Sequence, residues 1–322
     1  MSGGRESEIK KLFCIFLAAA AILSCPLPKA EAVSISLLGE EEVTVLCGER
    51  FIDEGCQAFD NNGHDISDKV RISGEVCLWE PGEYELTYSI TNRSRERRSC
   101  TRKVWVVAKE LPETEETEKT IYLTFDDGPG KYTAELLSLL DSYDAKATFF
   151  VIGEQLEHNS RLLNKILASG HAVGIHCYHH DYKKLYSSER SFAEDILKTK
   201  ELIYDLSEYS ANLVRFPGGS DTAAAYAEHR VDGGIKRLHG ILENMGMRYY
   251  DWDESADPKN GGGTYSVKRL EKLVKNVECP IVIQHDTRRS CLDATREILE
   301  WGAQNGYSFK ALDLTVPSSA GE

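Results

Sequence analysis

Proline is scarce in this chain of 322 residues, with nine in all, and its 25 glycines follow no three-residue period, so collagen-like and proline-rich scaffolds are excluded. No apolar run reaches the roughly 18 to 20 residues that a confident membrane-spanning helix requires, which excludes a multi-span membrane protein. Positive charge is also short: 38 lysines and arginines stand against 52 aspartates and glutamates, a formal net charge of -14. The attraction to phosphate backbones that drives non-specific nucleic-acid binding is therefore missing, and no nucleic-acid partner is expected. Nine cysteines are present but no CxxC pair, so zinc-ribbon and thioredoxin readings fail. What remains, 41% hydrophobic and 28% charged, is ordinary globular composition in a chain longer than one average domain.

Lys10 and Lys11 precede an apolar stretch from Leu12 to Leu23, and Ser24, Cys25, Pro26 and Ala30-Glu31-Ala32 follow it. Charged, then apolar, then small is the order of a secretory signal, whereas a core helix would carry polar residues at helical spacing. Residues 1–32 are therefore expected to be a signal peptide or N-terminal anchor. Cleavage after Ala32, lipidation at Cys25 and a retained anchor stay open, and each places the remainder outside the cytoplasm, in the extracellular space or the cell envelope. Export permits disulfides. Cys47, Cys56, Cys77 and Cys100 offer one or two bridges, while Cys177, Cys279 and Cys291 form an odd set further on.

From 33 to 108 short β-rich runs, such as Val43–Leu46, Tyr84–Tyr88 and Val104–Val107, alternate with turn clusters such as Asp60-Asn61-Asn62-Gly63 and Glu80-Pro81-Gly82-Glu83. That spacing predicts a small all-β sandwich. Six basic residues, Arg93, Arg95, Arg97, Arg98, Arg102 and Lys103, crowd one stretch. They read first as a solvated hairpin surface and second as a dock for an anionic wall polymer. Residues 109–119, rich in glutamate, read as an acidic linker and a mobile joint. From 120 to 316 apolar runs alternate with helical stretches. The strands are expected at 121–125, 147–152, 172–175, 213–216, 248–250 and 281–284, and the helices at 133–143, 161–169, 190–206, 267–277 and 292–304. The alternation predicts an α/β barrel or doubly wound sheet.

The polar residues with chemical promise lie just past the ends of these strands: Asp126 and Asp127, His176, Gly218 and Gly219, and His285 with Asp286. In a barrel the strand C-termini share one face, so they converge. Asp126-Asp127-Gly128-Pro129 sets two carboxylates side by side on a tight turn, one free to bind a metal while the other handles a proton. His176 and His180, at i and i+4, would share one face of a helix or helical turn. With Asp127 they make a two-histidine, one-carboxylate set for a divalent metal. Zinc is expected first, with cobalt, nickel, manganese or iron also compatible. His179 is an intervening competitor.

The strings Leu123-Thr124-Phe125-Asp126-Asp127-Gly128-Pro129, Ala147-Thr148-Phe149-Phe150-Val151-Ile152-Gly153, Gly170-His171 through His176-Cys177-Tyr178-His179-His180, Arg215-Phe216-Pro217-Gly218-Gly219, Tyr250-Asp251-Trp252 and Ile283-Gln284-His285-Asp286 resemble, in order and spacing, the motifs of the NodB-homology polysaccharide deacetylases, carbohydrate esterase family 4. Phe51-Ile52-Asp53-Glu54-Gly55, Ala58 through Ser67 and Pro81 through Tyr88 resemble bacterial immunoglobulin-like surface modules. The first resemblance implies a distorted, incomplete (β/α) barrel and metal-dependent removal of acetyl groups from N-acetylated sugars, with Asp127, His176 and His180 as ligands. It implies Asp126 as general base, Arg215 as the residue that holds and tunes it, and His285 as the acid that protonates the departing amine. The backbone of Gly218, just after Pro217, would stabilise the oxyanion, Trp252 would wall the groove, and Ile283 would line the acetyl pocket.

Three departures stand out. Cys177 occupies a position where the family usually has serine or threonine, Gly218 replaces a larger residue, and the fourth motif is irregular. The carboxylate that orients His285 is therefore assigned first to Asp257 and second to Asp251. The expected function is deacetylation of a cell-wall polysaccharide, foremost the N-acetylglucosamine of peptidoglycan, by a monomer whose N-terminal domain serves as spacer or wall contact. The competitors are an O-acetyl-xylan or chitooligosaccharide deacetylase and a non-catalytic glycan-binding surface protein.

Overall fold

The computed structural model describes residues 33–92, 95–115, 119–258 and 262–317. The expected signal or anchor at 1–32 lies outside the described residues, and no described helix is long and apolar enough to cross a membrane. The first module is built of strands: β1 (Ser34–Leu37), β2 (Glu42–Leu46), β3 (Cys56–Phe59), β4 (Arg71–Ser73), β5 (Gly82–Thr91) and β6 (Arg97–Val107). β1 pairs with β3, and the other four form a sheet in the order β2-β6-β5-β4. Strand alternation turns Leu86, Tyr88 and Ile90 of β5 and Val104 and Val106 of β6 inward.

The same alternation carries Arg102 into the interior, where it is 1% exposed. Its guanidinium donates to the backbone oxygens of Glu40 (3.0 Å), Leu38 and Gly55 and pairs with Asp53. These acceptors lie on or beside β1 and β3, so a paired buried charge ties the two sheets together. Two expectations change here. The basic run is not one surface, because Arg102 points inward while Arg98 pairs with Glu96 and Lys103 with Glu83 on the outside; Arg93 lies outside the described residues. The seven described cysteines are all free thiols, so the one or two bridges that export would allow among Cys47, Cys56, Cys77 and Cys100 are not formed.

The segment after β6 is not loose where it is described. Lys109 N–H donates to Asn244 O at 2.9 Å and Glu115 N–H to Thr315 O at 2.8 Å. The buried Lys200 ammonium reaches across to Gly48 O (2.8 Å) and Glu49 (3.1 Å), and Arg237 pairs with Glu80. Cys47, Trp79, Val104 and Val106 belong to the same apolar cluster as the core of the second module. Apolar burial with ion pairs at its rim fixes the joint that the glutamate-rich sequence suggested would move.

The second module runs β7 (Thr120–Gly128), α1 (Thr133–Asp141), β8 (Ala147–Ile152), α2 (Gly153–Ala168), β9 (Ala172–Cys177), α3 (Tyr182–Leu185), α4 (Glu189–Ser207), β10 (Leu213–Val214), α5 (Ser220–Ala227), α6 (Gly234–Asn244), β11 (Arg248–Tyr249), β12 (Glu254–Ser255), α7 (Gly262–Leu273), β13 (Ile281–His285), α8 (Arg289–Gln304) and β14 (Ser308–Phe309). Its strands are all parallel in the order β11-β10-β9-β8-β7-β13-β12, with β14 beside the start of β7. This is the expected incomplete barrel, a curled half-barrel sheet with helices. β8 is buried along its whole length. Continuous apolar runs, not alternating ones, suit a parallel sheet covered on both faces. α2 starts eight residues before the expected Arg161 and is interrupted at Asn159 (φ -130°, ψ 30°). α5 and α6 were not among the expected helices; α6 buries Leu238, Ile241 and Leu242 on one stripe.

His171, just before β9, accepts the Ala147 N–H on Nδ1 at 3.2 Å. Burial pushes its pKa down to about 4. The unfolded chain therefore binds a proton near pH 6.5 that the folded chain refuses, and stability falls as pH drops from about 6.5 to 4. The loss is at most about 3 kcal/mol. Urea melts of the protein and of His171→Gln at pH 7 and pH 4.5 check this: the variant should lose less on acidification.

Candidate active site

β7 carries Asp126 at its C-terminal end, level with His285 on the neighbouring β13. The ladder to β8 slips between Asp126 and Gly128, and Asp127 takes a left-handed φ of 69°. Successive carboxylates thus face different ways. Asp126 turns inward, almost wholly buried, and accepts from Arg215 Nη1 at 3.0 Å. Arg215 is held in turn by Thr124 Oγ1 (2.5 Å), Tyr250 O (2.8 Å) and Asp251 O (2.9 Å), and it stacks on Phe150. Burial raises the Asp126 pKa, and the Arg215 and His285 charges oppose that rise.

Asp127 Oδ1 lies 3.5 Å from both His176 Nε2 and His180 Nε2. The three donor atoms all fall within 4.8 Å of one another. His176 donates from Nδ1 to Arg215 O at 2.9 Å, which leaves the Nε2 lone pair facing the group, and burial holds its ring neutral far below the usual imidazole range. Asp127 Oδ1 is buried without a hydrogen-bond partner. A buried carboxylate oxygen is costly to leave unpaired. Two imidazole nitrogens and one carboxylate oxygen suit a divalent transition metal, so the residues present fit such an ion.

The two histidines do not share a helix as expected. His176 ends β9, and the chain then bends through Tyr178 and His179 before α3. Asp195 of α4 accepts the Tyr178 N–H at 2.6 Å and fixes the bend. His179 turns away to Glu154 at 2.8 Å. Cys177 is fully buried, and burial drives its thiol pKa far up, so it packs as an inert apolar group.

On the other flank His285 Nε2 is 3.7 Å from Asp127 Oδ2, and its Nδ1 is 2.5 Å from Asp257 Oδ2. Asp257 Oδ1 accepts the His285 N–H (3.2 Å) and the Cys291 thiol (3.1 Å). Burial opposes the imidazolium, but the Asp257 hydrogen bond and charge, with Asp126 and Asp127 behind, outweigh it and raise the His285 pKa. Asp251 goes elsewhere: it accepts Ser220 N–H at 3.0 Å at the start of α5.

Pro217 O accepts from Tyr186 OH at 3.1 Å, and the turn closes through Gly219 N–H to Phe216 O at 2.8 Å. Gly218 sits exposed on that turn at φ 79°. Trp252 lies over Gly219 and the Arg215 guanidinium. Ile283 is buried one register step below His285 on the same strand face, opposite Thr124. Sequence reasoning missed Thr124, Tyr182, whose ring lies 5.1 Å from that of His180, and Cys291. Thr124, two residues before Asp126 in a strand, could have been found by alternation. Cys291, 34 positions from Asp257, left no local signal.

A family model described as polysaccharide deacetylase matches residues 113–233, and one described as bacterial surface protein, Ig-like domain, matches residues 35–106. A peptidoglycan-N-acetylglucosamine deacetylase of Bacillus cereus is 32% identical over 197 residues, 60% of this chain and 69% of its own. A putative polysaccharide deacetylase of Bacillus subtilis is 30% identical over 206 residues, 62% of this chain and 69% of its own. Among solved structures, the catalytic domain of a peptidoglycan N-acetylglucosamine deacetylase from Eubacterium rectale is similar with a TM-score of 0.60 at 33% identity, covering 66% of this chain and 96% of that one.

Proposed function

The chain belongs to the NodB-homology polysaccharide deacetylases of carbohydrate esterase family 4, hydrolases with a metal centre, and from that premise we propose that it removes acetyl groups from N-acetylated glycan of the cell envelope, foremost the N-acetylglucosamine of peptidoglycan. The observation that carries the reading is the unpartnered Asp127 Oδ1 facing two imidazole nitrogens, with the Asp126–Arg215 pair on one side and the His285–Asp257 pair on the other. The Ig-like region and the names of the relatives support action at the envelope.

A divalent cation, zinc first, held by Asp127, His176 and His180 would supply Lewis acidity to the acetamide carbonyl and to the attacking water. The rest falls to the chain. The Asp126 carboxylate takes the proton of the attacking water, and the Arg215 guanidinium keeps that carboxylate oriented and charged. The Gly218 backbone N–H would donate to the oxygen on which charge develops. An amine leaves poorly without a proton, and His285 Nε2 delivers one to the departing nitrogen. Asp257 fixes the proton on Nδ1 and steadies the imidazolium. Trp252 walls the groove and Ile283 the acetyl pocket.

Asp257→Asn is expected to lower kcat about 100-fold with KM nearly unchanged, because the imidazole loses its orientation and charge support. Steady-state kinetics on a soluble N-acetylglucosamine oligomer check this. The function itself is tested by acetate release from N-acetylglucosamine oligomers, peptidoglycan and acetylated xylan by metal-loaded protein. Release from the acetamides is expected. Release from acetate esters alone would overturn the proposal, and so would binding without turnover on every substrate.

A further inference from the structure

The left-handed φ of 69° at Asp127 is unfavourable for a residue other than glycine. Such a conformation costs about 1 to 3 kcal/mol and persists only where neighbours enforce it. The carboxylate beneath that turn is Asp286, the residue after His285, which is 3% exposed and takes no part in the chemistry described above. Its Oδ2 accepts from the Thr133 hydroxyl at the head of α1, and Thr133 Oγ1 in turn accepts from Gly130 N–H at 2.7 Å. The carboxylate fills the hollow left by the missing side chain of Gly128, where a methyl group would overlap it. Together these contacts clamp the turn from Gly128 to Gly130 against β13 and α1.

We propose that Asp286, with Thr133, is a positioning residue that braces the Asp127 turn in the conformation that presents Oδ1 to a metal. The inference rests on the metal reading given above. It assigns Asp286 no contact with substrate or ion: it acts through Asp127. Losing a group that orients a metal ligand typically weakens metal affinity 10- to 100-fold.

The test is competition of the metal-free full chain with a chromophoric chelator for Co2+, with the visible Co2+ spectrum as a second signature, on wild type, Asp286→Ala, Asp286→Asn and Thr133→Val. Melting curves confirm folding. Asp286→Ala is expected to bind about 10- to 100-fold more weakly with an altered spectrum, Thr133→Val to weaken in the same direction, and Asp286→Asn, which keeps shape and an acceptor oxygen, to stay close to wild type. Wild-type affinity in folded Asp286→Ala would overturn the proposal. Equal loss in Asp286→Asn would also overturn it, since charge and not bracing would then be at work. Should Asp286→Ala not fold, Thr133→Val decides by the same criterion. A wild type that binds no Co2+ would instead sink the metal site itself.

Discussion

Asp126→Asn is expected to lower kcat by about 10²- to 10⁴-fold, the range that a positioned proton acceptor contributes. Asparagine keeps the shape and the oxygen that Arg215 Nη1 reaches at 3.0 Å, so the fold and the guanidinium stay in place. What disappears is the ability to accept a proton. Asp126 Oδ2 lies 4.0 Å from His176 Nε2, outside the ligand group, so metal content should hold within a few-fold. Acetate-release kinetics and metal analysis on the same preparation check both halves. Full activity in the variant would remove Asp126 as base.

His176→Ala should carry a comparable or larger cost, because it removes one of the three proposed metal ligands. Both the bound cation and its several kcal/mol of charge stabilisation should be lost, leaving activity down by about 10³-fold or more. His179→Ala provides the control: that ring already faces Glu154 and not the ligand group, so its loss should leave metal content and rate within about threefold. The contrast separates a specific ligand from general disturbance of the bend. Equal loss in the two variants would mean that the loop, and not the imidazole, matters.

Much of this arrangement was legible in the sequence because parallel strands bury their full length and release polar residues only at their ends. Asp126, His176 and His285 were therefore visible just past the ends of apolar runs, whereas Arg215, inside an expected strand, came only from the family resemblance; strand pairing sets His285 level with Asp126. The i, i+4 spacing of His176 and His180 picked out a pair that the fold does bring together, but not on a helix. A strand end and a bend anchored by Asp195 bring them together, and spacing alone does not distinguish this from a helix. Arg102 was misread for a similar reason: six basic residues look like a surface until alternation sends one inward to meet Asp53. The packed joint around Lys200, Glu49 and Trp79 was not legible, since its contacts span more than a hundred positions and the intervening glutamates suggest only solvation. Cys291 on Asp257 belongs to the same class of long-range contact.

The central claim is that Asp127, His176 and His180 hold one catalytic cation. Metal-free protein should be titrated with a single divalent metal while acetate release from an N-acetylglucosamine oligomer is followed. The account predicts negligible release without metal and a rise that saturates at about one equivalent per chain. Full turnover by rigorously metal-free protein, or a rise that ignores stoichiometry and survives His176→Ala, would contradict it.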